Sequence, residues 1–107
     1  MNVITNDQLR CTIALAVLQD VMDPEIGLSV VDLGLIYQID FEEANRQLYV
    51  SMTLTTQFCP MGASIVAAVK RAMENTFTHY TVIVTLTFTP PWNNERISEA
   101  GSAFLNQ

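Results

Sequence analysis

The chain has 107 residues, of which half are hydrophobic and 15% are charged. This length and composition favour one compact domain over a disordered chain. The formal net charge is −6 with only five lysine and arginine residues, which argues against binding to nucleic acid or to an anionic membrane surface.

The sequence gives no sign of export or of a membrane anchor. No N-terminal stretch combines a basic start, an apolar run and a cleavage site, and no apolar run approaches the roughly 18 residues that span a bilayer. We therefore expect a cytoplasmic protein. The two cysteines, Cys11 and Cys59, are expected to be free thiols there. Neither belongs to a C-x-x-C pair, which argues against a self-contained zinc site.

The first predicted element is an amphipathic helix. Residues 5–8 read as a capping box with Thr5 at the N-cap, and the helix is expected to run to about Val21. Asp23 then precedes a proline, which disfavours helix, and the loop that follows carries Asp23 and Glu25. The buried stripe of this helix is predicted to comprise Leu9, Ile13, Ala16 and Val17, widened by Leu18, Val21 and Met22. Cys11 is expected to pack in the core.

Strands follow, because the hydrophobic period changes to two. Alternation over residues 35–42 and 48–55, separated by a turn at 43–46, predicts an antiparallel pair with one buried face. A third strand is predicted after a helix, with its apolar residues on one side: Val82, Val84, Leu86 and Phe88.

The helix between the second and third strands is expected to begin at Pro60. Its apolar stripe is predicted to comprise Ile65, Val66, Val69, Ala72, Met73 and Phe77. After the prolines at 90–91, Asn93 or Asn94 could cap a short final helix. The predicted fold class is α+β: a two-layer sandwich of order α-β-β-α-β-(α), with a three-stranded mixed sheet covered by helices on one face, in a single domain over residues 1–107.

Cys59 is the most informative candidate for chemistry. Pro60 favours the first helical position, which places Cys59 at the N-cap, where unpaired N–H groups and the helix dipole favour a thiolate. Alternatively, it is a small residue filling a strand–helix corner. Thr55 and Thr56 precede it and offer hydroxyl groups to a thiolate or ligand, or they are simply a polar strand end.

The remaining polar candidates are weaker. Asp23 and Glu25 could hold a metal or a basic group of a partner, or Asp23 stabilises a turn and Glu25 is solvated. Asp32 interrupts an apolar run and is either buried with partners or faces water. His79 is the only histidine and is interpreted as a turn residue. Since no Ser/His/Asp set or phosphate-binding loop is present, the sequence does not favour an enzyme.

Five short motifs follow one another along the chain in the same order as in a known protein family. Together they resemble the small iron–sulfur assembly family once labelled domain of unknown function fifty-nine, which includes SufT-like and PaaD-like bacterial proteins and the cytosolic iron–sulfur targeting subunit of eukaryotes. The motifs lie between about Leu9 and Ser98 and are Asp23-Pro24-Glu25-Ile26, Val31-Asp32-Leu33-Gly34-Leu35-Ile36-Tyr37, Thr53-Leu54-Thr55-Thr56, Cys59-Pro60-Met61 and Pro90-Pro91-Trp92.

This resemblance implies an α+β domain that helps mature or deliver iron–sulfur clusters, with assembly machinery and apo-proteins as partners. The implied pocket comprises Cys59 as the reactive thiol, with Asp23, Glu25, Thr55 and Thr56 around it. One departure is Phe58, where the family usually has glycine.

Counting ligands limits the role of Cys59. A cluster needs about four thiolates or equivalents, so one cysteine per chain can only hold a cluster transiently, with small thiols, a partner or a second copy in a homodimer. The alternative is an adaptor that recruits assembly machinery or apo-targets by surface contacts, with Cys59 incidental.

Overall fold

The computed structural model describes residues 3–56 and 61–106. Within these residues the helices are α1 (Gln8–Leu18), α2 (Gly62–Thr76) and α3 (Glu99–Leu105), with a 3₁₀ turn at Asn94–Arg96. The strands are β1 (Ile4–Thr5), β2 (Met22–Asp23), β3 (Leu28–Ser29), β4 (Ile36–Glu42), β5 (Gln47–Met52) and β6 (Thr81–Leu86). No helix in the described ranges is both long enough and apolar enough to cross a membrane.

The main sheet is mixed and has the order β1-β4-β5-β6. β4 and β5 form the antiparallel pair, whereas β1 runs parallel to β4 and β6 runs parallel to β5. A separate antiparallel pair joins β2 to β3. The α+β class and the mixed sheet are thus confirmed, but the predicted count of three strands was wrong. The added strands β1, β2 and β3 have two residues each, too few to show an alternating pattern.

One face of the sheet forms the core with α1 and α2. Alternate residues of β4 and β5 are buried there, and α2 adds Ile65, Val69 and Met73, as its pattern predicted. The other face is polar and carries a shallow groove of about 470 Å³ that includes Gln38, Ser51 and Thr85. The helices therefore cover one face, which is the two-layer arrangement expected of one-sided strands.

The first helix differs from its prediction at both ends and in its buried face. Asp7, not Thr5, occupies the N-cap and accepts a hydrogen bond from the Arg10 amide at 3.1 Å. Thr5 instead pairs in β1, and the helix ends at Leu18 rather than near Val21. The predicted stripe was right at Leu18 and Val21, which are buried, but wrong at Leu9, which is 74% exposed, and at Ile13 and Ala16, which are also exposed. Cys11 and Ala14 complete the buried face of the helix.

The C-terminal segment is folded back and held against the loop before β4. The Trp92 indole donates to the Leu33 carbonyl at 2.6 Å, and the Arg96 guanidinium donates to the Gly34 carbonyl at 2.9 Å. The prediction that Asn93 or Asn94 caps the final helix was wrong: Asn93 caps the 3₁₀ turn, and Ser98 caps α3. Two short elements therefore replace the single final helix, because two separate caps begin them.

A cluster of charged and aromatic side chains links α1, the β4–β5 turn and the segment before β6 at one end of the sheet. Arg10 of α1 pairs with Glu43 of the β4–β5 turn at 2.6 Å and bonds to the Tyr80 hydroxyl. Tyr80 donates to Glu43 at 2.7 Å, and the Arg10 guanidinium lies 5.0 Å from the Phe41 ring centroid. Hydrogen bonds from Tyr80 and then Arg10 lower the pKa of Glu43 below its ordinary value of 4.5.

Replacing Gly34 by alanine should destabilise the protein strongly. Gly34 has φ +73°, and a Cβ there would lie 2.3 Å from the Arg96 carbonyl oxygen, which is backbone and cannot move without releasing the C-terminal segment. Urea unfolding should show a loss of about 3 kcal/mol or more for Gly34→Ala.

Gly27→Ala is the matched control for this substitution. Gly27 also has positive φ (+84°), but its Cβ would meet only the Phe104 ring at 3.8 Å. Gly27→Ala should lower the free energy of unfolding by only about 1 kcal/mol, because alanine must then adopt the left-handed conformation. Equal losses in the two variants would show that backbone strain, not the contact with Arg96, is the reason for glycine.

The pKa of Glu43 should depend on the Tyr80 hydroxyl. Because this pKa is lowered by folding, the carboxylate stabilises the fold above its unfolded pKa, near 4.5, and this contribution disappears as the pH falls through the lower folded value. Tyr80→Phe should raise the pKa toward 4.5, as followed by ¹³C NMR titration of the Glu43 carboxyl. Tyr49→Phe, whose hydroxyl bonds to Gln47, should leave it unchanged; a shift in that control would contradict the assignment.

Candidate functional site

The site is organised around the N-terminal end of α2. β5 ends at Met52, and the chain continues through Thr53 and Leu54, both buried, to Thr55, which is half-buried, and Thr56, which is exposed. The ladder extends slightly past the strand, because the Thr53 amide donates to the Leu35 carbonyl at 2.8 Å. The two threonines therefore stand where the chain leaves the sheet.

α2 begins later than the sequence predicted. Its first residue is Gly62, and Met61 occupies the N-cap position, so the prediction of a helix starting at Pro60 with Cys59 at its N-cap was wrong. Met61 has no oxygen in its side chain to cap the helix, and the Ile65 amide donates to the Met61 carbonyl at 3.0 Å. Residues 57–60, which include Cys59, lie outside the described residues. The positive end of the α2 dipole faces the Met61 side of the helix.

The Asp23 loop is a tight hairpin between β2 and β3. The Asp23 carboxylate accepts hydrogen bonds from the amides of Glu25 at 2.9 Å and Ile26 at 3.3 Å, and the Gly27 amide donates to the Asp23 carbonyl. Asp23 is only 2% exposed, whereas Glu25 is exposed. One oxygen of Asp23 thus stabilises the turn, and Glu25 faces solvent, as the simpler interpretation of this loop expected.

A pocket of about 240 Å³ brings this loop to α2. It is bordered by Asp20, Val21, Met22 and Pro24 on one side and by Ser64, Ile65 and Ala68 of α2 on the other. Asp23 and Glu25 do not line it. Asp23 and its neighbours therefore lie on the same side of the molecule as the first two turns of α2. Of the five predicted site residues, the described residues include Asp23, Glu25, Thr55 and Thr56. Pro24, next to Asp23, borders the pocket with Ser64 and Ile65, and Leu54, next to Thr55, lines a second cavity with Gly62.

A second cavity, here called the α2–β6 groove, opens on the other side of the same helix end. It has a volume of about 490 Å³ and is lined mainly by Gly62, Ala63, Val66, Ala67, Leu86 and Phe88. The sequence placed Leu86 and Phe88 in the core, but Leu86 is 41% exposed. An alternating pattern does not reveal that its strand lies at the edge of the sheet.

The other candidates have structural roles. The half-buried Asp32 accepts a hydrogen bond from the Ser98 hydroxyl at 2.8 Å, so it has a partner. Cys11 is buried as predicted, and burial raises the pKa of its thiol above 9.0. His79 is an exposed turn residue, and Trp92 packs over the end of the sheet. Within residues 3–56 and 61–106, no three histidine, cysteine or acidic side chains form a group that could hold a metal ion.

Substitutions of Asp23 should separate its role as a hydrogen-bond acceptor from its charge. Asp23→Ala removes the acceptor for two turn amides and should lower the free energy of unfolding by about 1–2 kcal/mol. Asp23→Asn keeps a carbonyl oxygen and should cost less. Glu25→Gln, at an exposed position of the same loop, should stay within about 0.5 kcal/mol in urea unfolding. If Asp23→Asn lowers the free energy of unfolding as much as Asp23→Ala does, the turn depends on the negative charge of Asp23.

Comparison with known proteins gives the same family from sequence and from structure. Residues 13–90 match the family described as "Iron-sulfur cluster assembly protein". The chain is 42% identical over 82 residues to the "Fe-S protein maturation auxiliary factor" of Porphyromonas gingivalis, covering 77% of each chain. It is 35% identical over 78 residues to the "Fe-S protein maturation auxiliary factor SufT" of Staphylococcus aureus, covering 73% of this chain and 88% of that protein.

A solved structure agrees with this match. The crystal structure of "Domain of Unknown Function DUF59 from Bacillus anthracis" superposes with a TM-score of 0.82 at 33% identity, covering 89% of this chain and 90% of the other. The match to the family covers well over half of the chain and includes the Asp23 loop, the strand end at Thr55 and the start of α2. The chain belongs to the iron–sulfur cluster assembly protein family.

Proposed function

We propose that this protein is an auxiliary factor for the maturation of iron–sulfur proteins, which uses Cys59 as a transient cluster ligand or reactive thiolate. Its partners would be the assembly machinery and apo-proteins of the cytoplasm, and its role would be that of a carrier rather than a catalyst. The family and the names of its relatives support the maturation role. The role of Cys59 is our inference from the sequence and from the surroundings of α2.

The observation that supports this proposal is the approach of the Asp23 loop to the start of α2, which directly follows the segment that contains Cys59. The strand end at Thr55 and Thr56 leads into the segment that contains Cys59, and Met61 follows it at the N-cap of the helix. Pro24, which lies between Asp23 and Glu25, lines the pocket that borders the first two turns of α2. A thiolate near this helix end would benefit from the dipole, and threonine hydroxyls could donate hydrogen bonds to it.

The number of sulfur ligands favours transfer over storage. A cluster needs about four thiolates or equivalents. The other cysteine, Cys11, is 3% exposed within α1, and its raised pKa disfavours the thiolate that binds metal. The cluster is thus cargo, whose other ligands come from a donor protein, an acceptor protein or small thiols. Incomplete ligation by this chain would allow the cargo to leave.

The carboxylates of the Asp23 loop would act on the partner rather than on the thiol. Glu25 is exposed at the tip of its loop, so it can approach a basic group of a donor or acceptor protein. Asp23 is committed to the turn and would hold Glu25 in place. In this arrangement Asp23 is a positioning residue, and Glu25 contacts the partner.

Anaerobic reconstitution with iron and sulfide tests the role of Cys59. For the wild type we expect visible absorption at roughly 400 nm, with an intensity that corresponds to less than one cluster per chain. Cys59→Ser should abolish both this absorption and the maturation of an apo-ferredoxin. Cys11→Ala is the matched control, because it removes a buried thiol and should retain both signals.

The alternative function is an adaptor that recruits machinery or apo-proteins by surface contacts. If Cys59→Ser matures the apo-ferredoxin as well as the wild type does, and neither protein takes up a cluster, the proposed role of Cys59 is wrong and the adaptor is favoured. Circular dichroism of each variant would show whether lost activity reflects unfolding.

A further inference from the structure

The first turn of α3 is fixed to the loop that precedes β4. The Ser98 amide donates to the Asp32 carbonyl at 2.7 Å, and the Ser98 hydroxyl donates to the Asp32 carboxylate at 2.8 Å. Gly101 is buried, and a Cβ there would lie 3.3 Å from the same carbonyl oxygen. The helix therefore approaches Asp32 closely, and these contacts set its direction.

The last turn of α3 reaches the Asp23 loop. The Phe104 ring lies beside Gly27, where an added Cβ would be 3.8 and 3.9 Å from two ring atoms, which are ordinary van der Waals distances. Phe104 follows the N-cap residue Ser98 by six residues, which corresponds to about 9 Å along a helix. α3 thus spans the distance from Asp32 to the Asp23 loop, with an attachment at each end.

The Asp23 loop has a cavity beside it and therefore has room to move. Pro24 borders the pocket of about 240 Å³ that separates the loop from Ser64 and Ile65 of α2. The hydrogen bonds from the amides of residues 25–27 to Asp23 fix the shape of the turn, but they lie within the loop. A contact from outside the loop restrains its position, and Phe104 supplies such a contact.

We propose that Phe104 is a positioning residue, which restrains the Asp23 loop so that Glu25 is held in place for its contact with a partner. This role rests on the proposed function, because that function makes Glu25 the group that meets a basic side chain of the partner. Phe104 acts through the loop. Residues 13–90 match the family, so α3 lies outside the segment on which membership of the family depends.

The exposure of Phe104 favours positioning over packing in the core. Its side chain is 46% exposed. The hydrophobic core of the described residues includes no side chain of α3. The next residue, Leu105, is 47% exposed, but the contact at Gly27 belongs to Phe104. Replacing Leu105 therefore changes the same helix at the same exposure and leaves the contact with the loop intact.

Amide hydrogen exchange of the free protein tests the positioning. In Phe104→Ala, the amides of residues 25–27, all bonded to Asp23, should exchange roughly fivefold faster, because the loop opens more often. The Ser98 amide should keep its exchange rate, since the first turn of α3 stays attached. Leu105→Ala is the matched control and should leave all of these rates unchanged.

Three outcomes of this experiment would overturn the proposal. Unchanged exchange of the loop in Phe104→Ala would show that the ring does not restrain it. Equal acceleration of the Ser98 amide would show that the variant releases α3 as a whole. Faster exchange of the loop in Leu105→Ala would assign the effect to the stability of α3. The measurement needs neither a partner nor a cluster, so its result does not depend on the proposed function.

Maturation of apo-ferredoxin by the reconstituted protein tests whether the restraint serves Glu25. Phe104→Ala and Glu25→Gln should each raise the concentration of this protein that gives half-maximal maturation, by about threefold, with the maximal rate unchanged. In the double variant the rise should stay near threefold, because both changes remove the same contact, whereas independent effects would multiply to about ninefold. Phe104→Met keeps a long apolar side chain and should restore the wild-type concentration.

A ninefold rise in the double variant, or an unchanged half-maximal concentration in Phe104→Ala, would overturn the positioning role. If Glu25→Gln alone has no effect, the proposed contact of Glu25 is wrong and the positioning role fails with it. Failure of the proposed function at Cys59 is distinguishable from both results, because it appears in Cys59→Ser and leaves the exchange of the Asp23 loop unchanged.

Discussion

The parallel pairing of β5 with β6 is the constraint on which the rest of the structure depends. Two parallel strands cannot be joined by a hairpin, so the chain must cross one face of the sheet, and α2 makes this crossing. The crossing places the start of α2 at the end where β5 finishes. It therefore brings Thr55, Thr56 and Met61 to one edge of the molecule, and it leaves β6 at the outside of the sheet.

A second set of contacts supports that edge from the C-terminal side. The indole of Trp92 and the guanidinium of Arg96 bond to the carbonyls of Leu33 and Gly34, and Ser98 bonds to Asp32. Through these contacts, side chains of the C-terminal segment hold residues 32–34, which precede them by about 60 residues in the sequence. Buried backbone carbonyls need such partners, because an unpaired one costs about 1–3 kcal/mol. The glycine at 34 allows the close approach.

Sequence patterns predicted the helices and strands that are long and bury one face along their whole length. The stripe of α2 and the alternation of β4 and β5 are of this kind. The face of α1 was predicted only in part, because apolar residues such as Leu9 occur all round this helix and packing decides which of them are buried. The exposure of Leu86 was missed for a different reason: strand order is a tertiary property that local alternation does not contain.

The candidate site was predictable only in part for the same reason. Local sequence indicated that Asp23 shapes a turn, and it does. The predicted strand through Thr55 was too long, because β5 ends at Met52. The pocket that joins the Asp23 loop to Ser64 and Ile65 arises from the packing of distant segments, and no spacing along the chain predicts it. Membership of the family comes from the order of several short motifs, each of which is weak alone.

The cluster of Arg10, Glu43 and Tyr80 has a consequence for how this protein can evolve. It closes the end of the sheet where β5 and β6 begin, whereas the candidate site lies where β5 ends. The two ends are separated by the length of the strands, and substitutions that far apart usually have additive effects. Selection can therefore adjust stability at the aromatic end, while the other end diversifies toward different partners.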